Sequence, residues 1–242
     1  MNKIFAHPKS LRKTPTHYCP GCGHGIAHRL IAEVIDELGI RKKVIAVAPV
    51  GCAVVAYDYW DFDCSEAAHG RAMAVATGIK RTRPKAFVFT YQGDGDLAAI
   101  GTGETIHTAN RGENITVIFI NNAIYGMTGG QMAPTTLLEQ KTATTPTGRN
   151  AALQGYPLKI SEMLGILPAV KYIERVSIHS PQEIIKTRRA IKQGFQNQLD
   201  NLGFSLIEVL SPCPTYWGMP PKNALDWIKD VMIKEFPLGR IK

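Results

Sequence analysis

The chain has 242 residues, of which 45% are hydrophobic and 20% charged, a globular composition with room for one sizeable core. No apolar run approaches the roughly eighteen residues of a membrane span, and the polar, basic stretch Met1 to Thr16 lacks a signal peptide's apolar segment, so a cytoplasmic protein is expected. The net charge of +8 lies in separated clusters (Lys9 to Lys13, Arg41 to Lys43, Lys80 to Lys85, Lys186 to Lys192) with no interleaved aromatics, which speaks against nucleic acid and for solvated faces or attraction of anionic partners.

Residues 1–16 read as an N-terminal extension. Cys19-Pro20-Gly21-Cys22 follows, then a helical pattern from His24 to Leu38. Val44 to Val50 reads as a buried strand that runs into Gly51-Cys52. A helical segment is expected over Glu66 to Thr82, and a second buried strand over Ala86 to Tyr91. That strand feeds Gln92-Gly93-Asp94-Gly95-Asp96 and a helix near Leu97 to Asn110. Thr116 to Ile120 is a third strand, ending at Asn121-Asn122. The stretch Tyr125 to Tyr156 is rich in Gly, Thr, Pro and Gln and has little apolar periodicity; a loop this long is usually functional or disordered. Val170 to Val176 alternates as a weaker strand. Over Pro181 to Leu202 a helix is expected, with Ile184, Ile185, Ile191, Phe195 and Leu199 on its apolar side and an interruption at Arg188. Phe204 to Leu210 is the last apolar strand, followed by Ser211-Pro212-Cys213-Pro214. In the C-terminal extension, 214–242, Asn223 to Phe236 reads as an amphipathic helix that covers the sheet or docks on a partner. Short apolar strands alternating with helices predict an α/β fold: a parallel sheet with helices on both faces and ligands at the strands' carboxyl ends.

Gly93 and Gly95 permit a tight turn with close backbone approach, and the helix that opens just afterwards offers free N–H groups suited to phosphate. Asp94 is a hard oxygen ligand of the kind Mg²⁺ or Ca²⁺ prefers. The Asn122 amide and the Ile124 carbonyl, one strand further on, could complete a cation site beside it. Gly-Asp-Gly alone is usually a turn; the pair of motifs, each after a strand, resembles the metal and diphosphate signature of thiamine-diphosphate enzymes.

With five cysteines and no secretion signal, metal or redox use is a better expectation than disulfides. Cys19, Cys22, Cys52 and Cys213 fall in turns or at strand ends and could hold zinc or a [4Fe–4S] cluster, or be buried thiols. Cys64 reads as an ordinary small buried residue. His28 and His107 read as packed or capped, Glu104 as structural, and Arg71 equally as a phosphate contact or a helix-surface charge. Asn114-Ile115-Thr116 fits a glycosylation pattern that a cytoplasmic chain would not use.

Cys19-Pro-Gly-Cys22-Gly-His24-Gly, Gly51-Cys52, His69-Gly70-Arg71-Ala72, Gly93-Asp-Gly-Asp96, Asn121-Asn122, Tyr125-Gly-Met-Thr-Gly-Gly-Gln131 and Ser211-Pro-Cys213 occur in this order. This resembles the β subunit of 2-oxoacid:ferredoxin oxidoreductases, over roughly Tyr18 to Tyr216. The resemblance implies a thiamine-diphosphate-binding (diphosphate-domain) fold spanning residues 1–242. It implies that Cys19, Cys22, Cys52 and Cys213 hold a [4Fe–4S] cluster and that Asp94, Asn122 and the Ile124 carbonyl hold Mg²⁺ or another divalent cation. Gly51, Cys52, Ala53, His69, Gly70, Gly93, Asp94, Gly95, Asp96, Asn122, Ile124, Tyr125, Gly126, Met127 and Thr128 would line the cofactor, with His69 and Thr128 as candidate catalytic residues. The activating Glu would come from an α subunit carrying the pyrimidine-binding domain, with γ and ferredoxin-like δ subunits as further partners. The implied reaction is CoA-dependent oxidative decarboxylation of a 2-oxo acid to acyl-CoA and CO₂, with electrons passing through the cluster to ferredoxin. Gln131 to Gly155 most resembles members acting on 2-oxoisovalerate, then 2-oxoglutarate, then pyruvate. The alternative is a non-redox thiamine-diphosphate decarboxylase subunit with structural zinc or free thiols.

Overall fold

A computed structural model describes residues 6–242. The first five residues of the expected N-terminal extension lie outside the described residues. The strands are β1 (Val44–Pro49), β2 (Asp63–Ala67), β3 (Phe87–Gly93), β4 (Thr116–Asn121), β5 (Val170–Ser177), β6 (Phe204–Leu210) and β7 (Gly239–Arg240). They form one seven-stranded sheet in the order β2-β1-β3-β4-β6-β5-β7, in which only β7 is antiparallel to its neighbour. The helices are α1 (His24–Leu38), α2 (Ala72–Thr82), α3 (Thr102–Asn110), α4 (Ala151–Gln154), α5 (Ile160–Gly165), α6 (Pro181–Leu199), α7 (Pro214–Trp217), α8 (Pro221–Trp227) and α9 (Ile233–Glu235).

The apolar strands are apolar because both of their faces are covered. Along β4, Ile118 and Ile120 join the core beneath α1 and α6, with Ile31, Ile35, Ile191 and Phe195. Val117 and Phe119, one step out of phase, join the core beneath α2, α3 and α5, with Met73, Ala109 and Leu164. Phe195 is fully buried, its ring 4.9 Å from that of Phe87 and 5.4 Å from that of Phe89. Truncating such a ring to Ala typically costs about 3–5 kcal/mol. Ser180 caps α6 by accepting from the Glu183 N–H, with Pro181 in the first turn, where no intrahelical N–H is needed.

Several expectations need correction. The segment expected as helix from Glu66 begins as strand: β2 ends at Ala67 and α2 starts at Ala72. β2 escapes an apolar pattern because it is an edge strand, paired only with β1 and largely exposed. The helix expected from Leu97 is a π-helical turn, Asp96–Ile100, followed after Gly101 by α3. In α6, Ile185 and Leu199 are exposed rather than on the apolar side. The buried face runs instead through Thr187, Ala190, Ile191, Gly194 and Phe195, where small residues let the helix approach the sheet. Arg188 is no interruption, since it faces α1 and pairs with Glu33 and Glu37.

The C-terminal stretch is not one helix but α8, a π turn over Ile228–Met232, and α9. Ala224, Ile228, Met232 and Phe236 nonetheless share one buried face, and the last three pack with Leu210, Ala123 and Leu137, so this stretch covers its own sheet. The stretch 125–156 is ordered by polar contacts rather than apolar ones. Arg149 is its centre, buried and donating to five main-chain carbonyls. Asn114 donates to the Gln198 carbonyl and to Asn201 Oδ1, a structural role for the glycosylation-like tripeptide.

Candidate functional site

β3 and β4 are adjacent and parallel, with Gly93 opposite Ile120. The residues just past both strands therefore emerge side by side at the carboxyl edge. Asp94 is buried there. Its Oδ1 accepts from the Gly95 N–H at 2.8 Å, while Oδ2 accepts from the Thr135 hydroxyl at 2.6 Å and the Ile124 N–H at 3.2 Å. The Ile124 N–H also lies 3.3 Å from Asn122 Oδ1. The chain reaches Ile124 through Ala123, held at φ 55°, a left-handed conformation unusual for a residue with a side chain. That turn is pinned on both sides. The Ala123 N–H donates to Asn121 Oδ1, and its carbonyl accepts from the Thr136 hydroxyl and the Gln140 amide. Asn121 in turn donates to the buried Glu208, which also accepts from Ser161 and Arg175.

Burial pushes the Asp94 carboxyl up to about 6, although hydrogen bonds from Thr135 and from the backbone, including Gly95 and Ile124, pull the other way. Among the described residues no Lys, Arg or His forms an ion pair with it. A buried carboxylate lacking a cation, beside an amide oxygen and a nearby carbonyl, is the donor set a hard divalent ion takes. The residues thus fit the metal that the sequence implies.

Asp96, also buried, organises the other wall. It accepts from His69 Nδ1 at 2.7 Å, the Gly70 N–H at 2.5 Å and Gln92 Nε2 at 2.7 Å. A carboxylate only accepts, so His69 carries its proton on Nδ1 and presents Nε2 as the free ring nitrogen. Gly95 packs against Tyr125 so closely that a side chain at 95 would overlap the ring.

Gly51, Cys52, Ala53, His69, Gly93, Asp94, Gly95, Asp96, Asn122, Ile124, Tyr125, Gly126, Met127 and Thr128 all line one cleft. Gly70 does not; its role is the hydrogen bond to Asp96. The Thr128 hydroxyl donates to Gln131 Oε1 at 2.6 Å, so its proton is already committed. Arg71 pairs with Glu104, which assigns both to the helix surface. His28 is packed, stacking on Trp60 and bonding the Tyr18 hydroxyl.

Cys19, Cys22, Cys52 and Cys213 line a second cavity that shares His24, Cys52, Asn122, Gly126 and Met127 with the first. Burial raises the Cys22 thiol and pushes those of Cys52 and Cys213 up to about 11 and 12. Such thiols become good ligands only when a bound metal displaces the proton. Among the described residues no three His, Cys, Asp or Glu side chains converge as they would around a single ion. Cys64 stands apart, its thiol donating to the Phe62 carbonyl. Sequence reasoning missed His24 and Thr135. His24 lines both cavities, and its Nδ1 shares a 2.6 Å hydrogen bond with the buried Tyr91 hydroxyl. The Cys-Gly-His run was the available signal for His24; nothing local marks Thr135.

Comparison with known proteins defines the class first. Residues 50–209 match the family model described as thiamine pyrophosphate enzyme, C-terminal TPP binding domain. The whole chain is 52% identical to ketoisovalerate oxidoreductase subunit VorA of Methanothermobacter thermautotrophicus, covering 51% of that protein. It is 41% identical over 207 residues to 2-oxoglutarate synthase subunit KorB of Methanocaldococcus jannaschii, covering 85% of this chain and 72% of that one. A solved structure of 2-oxoglutarate:ferredoxin oxidoreductase from Magnetococcus marinus, with 2-oxoglutarate, coenzyme A and succinyl-CoA bound, superposes with a TM-score of 0.79 at 29% identity, over 95% of this chain and 74% of that one. The chain belongs to the thiamine-pyrophosphate-binding subunits of the 2-oxoacid:ferredoxin oxidoreductase family. It spans about half the length of the ketoisovalerate relatives it matches. No helix among the described residues is long and apolar enough to cross a membrane.

Proposed function

We propose that this chain is the β-type unit of a 2-oxoacid:ferredoxin oxidoreductase, holding thiamine diphosphate through Mg²⁺ and a [4Fe–4S] cluster on Cys19, Cys22, Cys52 and Cys213. One observation carries the reading: the cleft built on Asp94 and Asn122 shares a wall, Cys52 and Gly126, with the four-cysteine cavity. Asp94, Asn122 and the Ile124 carbonyl hold the cation that neutralises the diphosphate. When bound, thiamine diphosphate supplies the electron sink for decarboxylating a 2-oxo acid. His69, oriented by Asp96, offers its free Nε2 to the cleft, and Tyr125 to Thr128 line its mouth. A cluster held by Cys19, Cys22, Cys52 and Cys213 would supply the electron route to ferredoxin, and coenzyme A would take the acyl group. A pyrimidine-binding α unit completes the cofactor site and supplies the activating Glu; γ and δ units are further partners.

Zinc is the competing occupant of the cysteines. It would take the four sulfurs as tetrahedral ligands at about 2.3 Å, and iron and sulfide analysis tells the two occupants apart. For the substrate we favour 2-oxoisovalerate over 2-oxoglutarate and pyruvate; the 52% and 41% identities to the ketoisovalerate and 2-oxoglutarate relatives support that order. The test is anaerobic purification of the complex, iron and sulfide analysis, and viologen reduction with each 2-oxo acid and CoA in turn. Iron-free protein that still decarboxylates would replace this reading with a non-redox decarboxylase.

A further inference from the structure

Arg149 is a buried guanidinium that pairs with no carboxylate among the described residues. All its donors go to main-chain carbonyls. Nη1 donates to Pro134 O at 2.8 Å and Thr136 O at 2.5 Å. Nε donates to Gly155 O at 3.0 Å, and Nη2 to Gln154 O at 3.1 Å and Tyr156 O at 2.8 Å. The planar fork thus ties 134–136 to 154–156, which a lysine's single ammonium cannot reproduce. Its own backbone pairs with Glu139 and Gln140.

What lies inside the clamp is the metal end of the cleft. Between the two carbonyls held by Nη1 sits Thr135, whose hydroxyl donates to Asp94 Oδ2 at 2.6 Å. Thr136 and Gln140 hold the Ala123 carbonyl, between Asn122 and Ile124. Every hydrogen bond from this segment to the Asp94 and Asn122–Ile124 constellation therefore starts from a residue that Arg149 fixes directly or through its backbone.

We propose that Arg149 is a positioning residue for the divalent cation. It acts through Thr135, which sets the direction of the Asp94 carboxylate. The inference rests on the reading of Asp94 as a metal ligand. Without the clamp, Thr135 no longer holds Oδ2, and the carboxylate rotates away from the amide and carbonyl that share the ion. Partners one shell out from a metal typically control its affinity about 10–100-fold.

The experiment is a double-mutant cycle in the assembled complex, reading Mg²⁺ affinity by calorimetry at saturating thiamine diphosphate. R149K and T135V should each weaken Mg²⁺ about tenfold, at the lower end of that range. The double variant should be no weaker than either single, because both break one path. T135S, which keeps the hydroxyl, should bind as the parent does. G155A is the milder second variant should R149K not fold: it strains the clamp's outer arm at φ 70° without removing a donor, and the same cycle with T135V applies. An unchanged Mg²⁺ affinity in R149K and G155A overturns the inference, as do effects that simply multiply in the double variant. D94N is the control beneath it. Mg²⁺ binding retained in D94N overturns the metal reading and this inference together, whereas binding lost in D94N with multiplying effects at 149 and 135 overturns this inference alone.

Discussion

Replacing Asp94 with Asn should separate the cost of the site from its use. Burial raises the Asp94 carboxyl from its ordinary 3.8 to about 6. Each pH decade is worth about 1.4 kcal/mol, so the ionised carboxylate costs the metal-free fold about 3 kcal/mol at neutral pH. The folded state holds the proton between about 4 and 6 while the unfolded state has released it. This group's contribution is therefore fully present below 3.8 and is lost as pH rises through about 6. Asn mimics the protonated acid but must turn its NH₂ toward the Gly95 N–H, a pH-independent cost of about 1–3 kcal/mol. Urea unfolding of the metal-free chain from pH 4 to 8 should therefore show the stability gap between D94N and the parent moving by about 3 kcal/mol toward D94N. Mg²⁺ at about a hundred times its Kd should return about 2.7 kcal/mol to the parent and nothing to D94N. A gap independent of pH, or one moving the other way, would refute the reasoning.

Acid should act on the histidines in the opposite sense. Burial lowers His24 from 6.5 to about 4 and drives His28 well below its ordinary value. Stability from His24 is present above pH 6.5 and lost as pH falls through about 4, about 3 kcal/mol in all; comparing urea midpoints of H24Q and the parent at pH 7 and 4.5 checks it. R175M should cost about 3–5 kcal/mol, because it leaves Glu208 buried without its cation, and thermal unfolding reads it directly. G95A should destabilise by about 1–3 kcal/mol and weaken thiamine diphosphate binding through overlap with Tyr125; Y125A in the G95A background should recover part of both. C52S should lower the iron content of anaerobically purified complex, and a parent-like iron content would count against a cluster ligand there.

The interior strands were legible in the sequence because burial on both faces favours unbroken apolar runs, as in Val117 to Ile120. β2 was not, because an edge strand facing solvent carries Asp63 and Glu66 and has no reason to be apolar. On α6 the apolar count pointed at Ile185 and Leu199, while closeness to the sheet is achieved by Ala190 and Gly194, which such a count ignores. The Gly-Asp-Gly and Asn-Asn residues were legible because each motif ends a strand, and neighbouring parallel strands deliver both to one edge. Thr135 and Arg149 were not. Their importance lies in hydrogen bonds to main-chain atoms and to a carboxylate 41 positions from Thr135, which no local pattern encodes.

Cys52 and Gly126 stand in the wall common to the cleft and the cysteine cavity, with both the Cys52 and Cys213 sulfurs close to Gly126. The two compartments are therefore not separable modules. A substitution that widens one narrows or opens the other, so the cleft and the cysteine cavity cannot be reshaped independently from this face. Diversification has freer scope at the rim, where Val50 is exposed and touches the cleft alone without bearing a ligand.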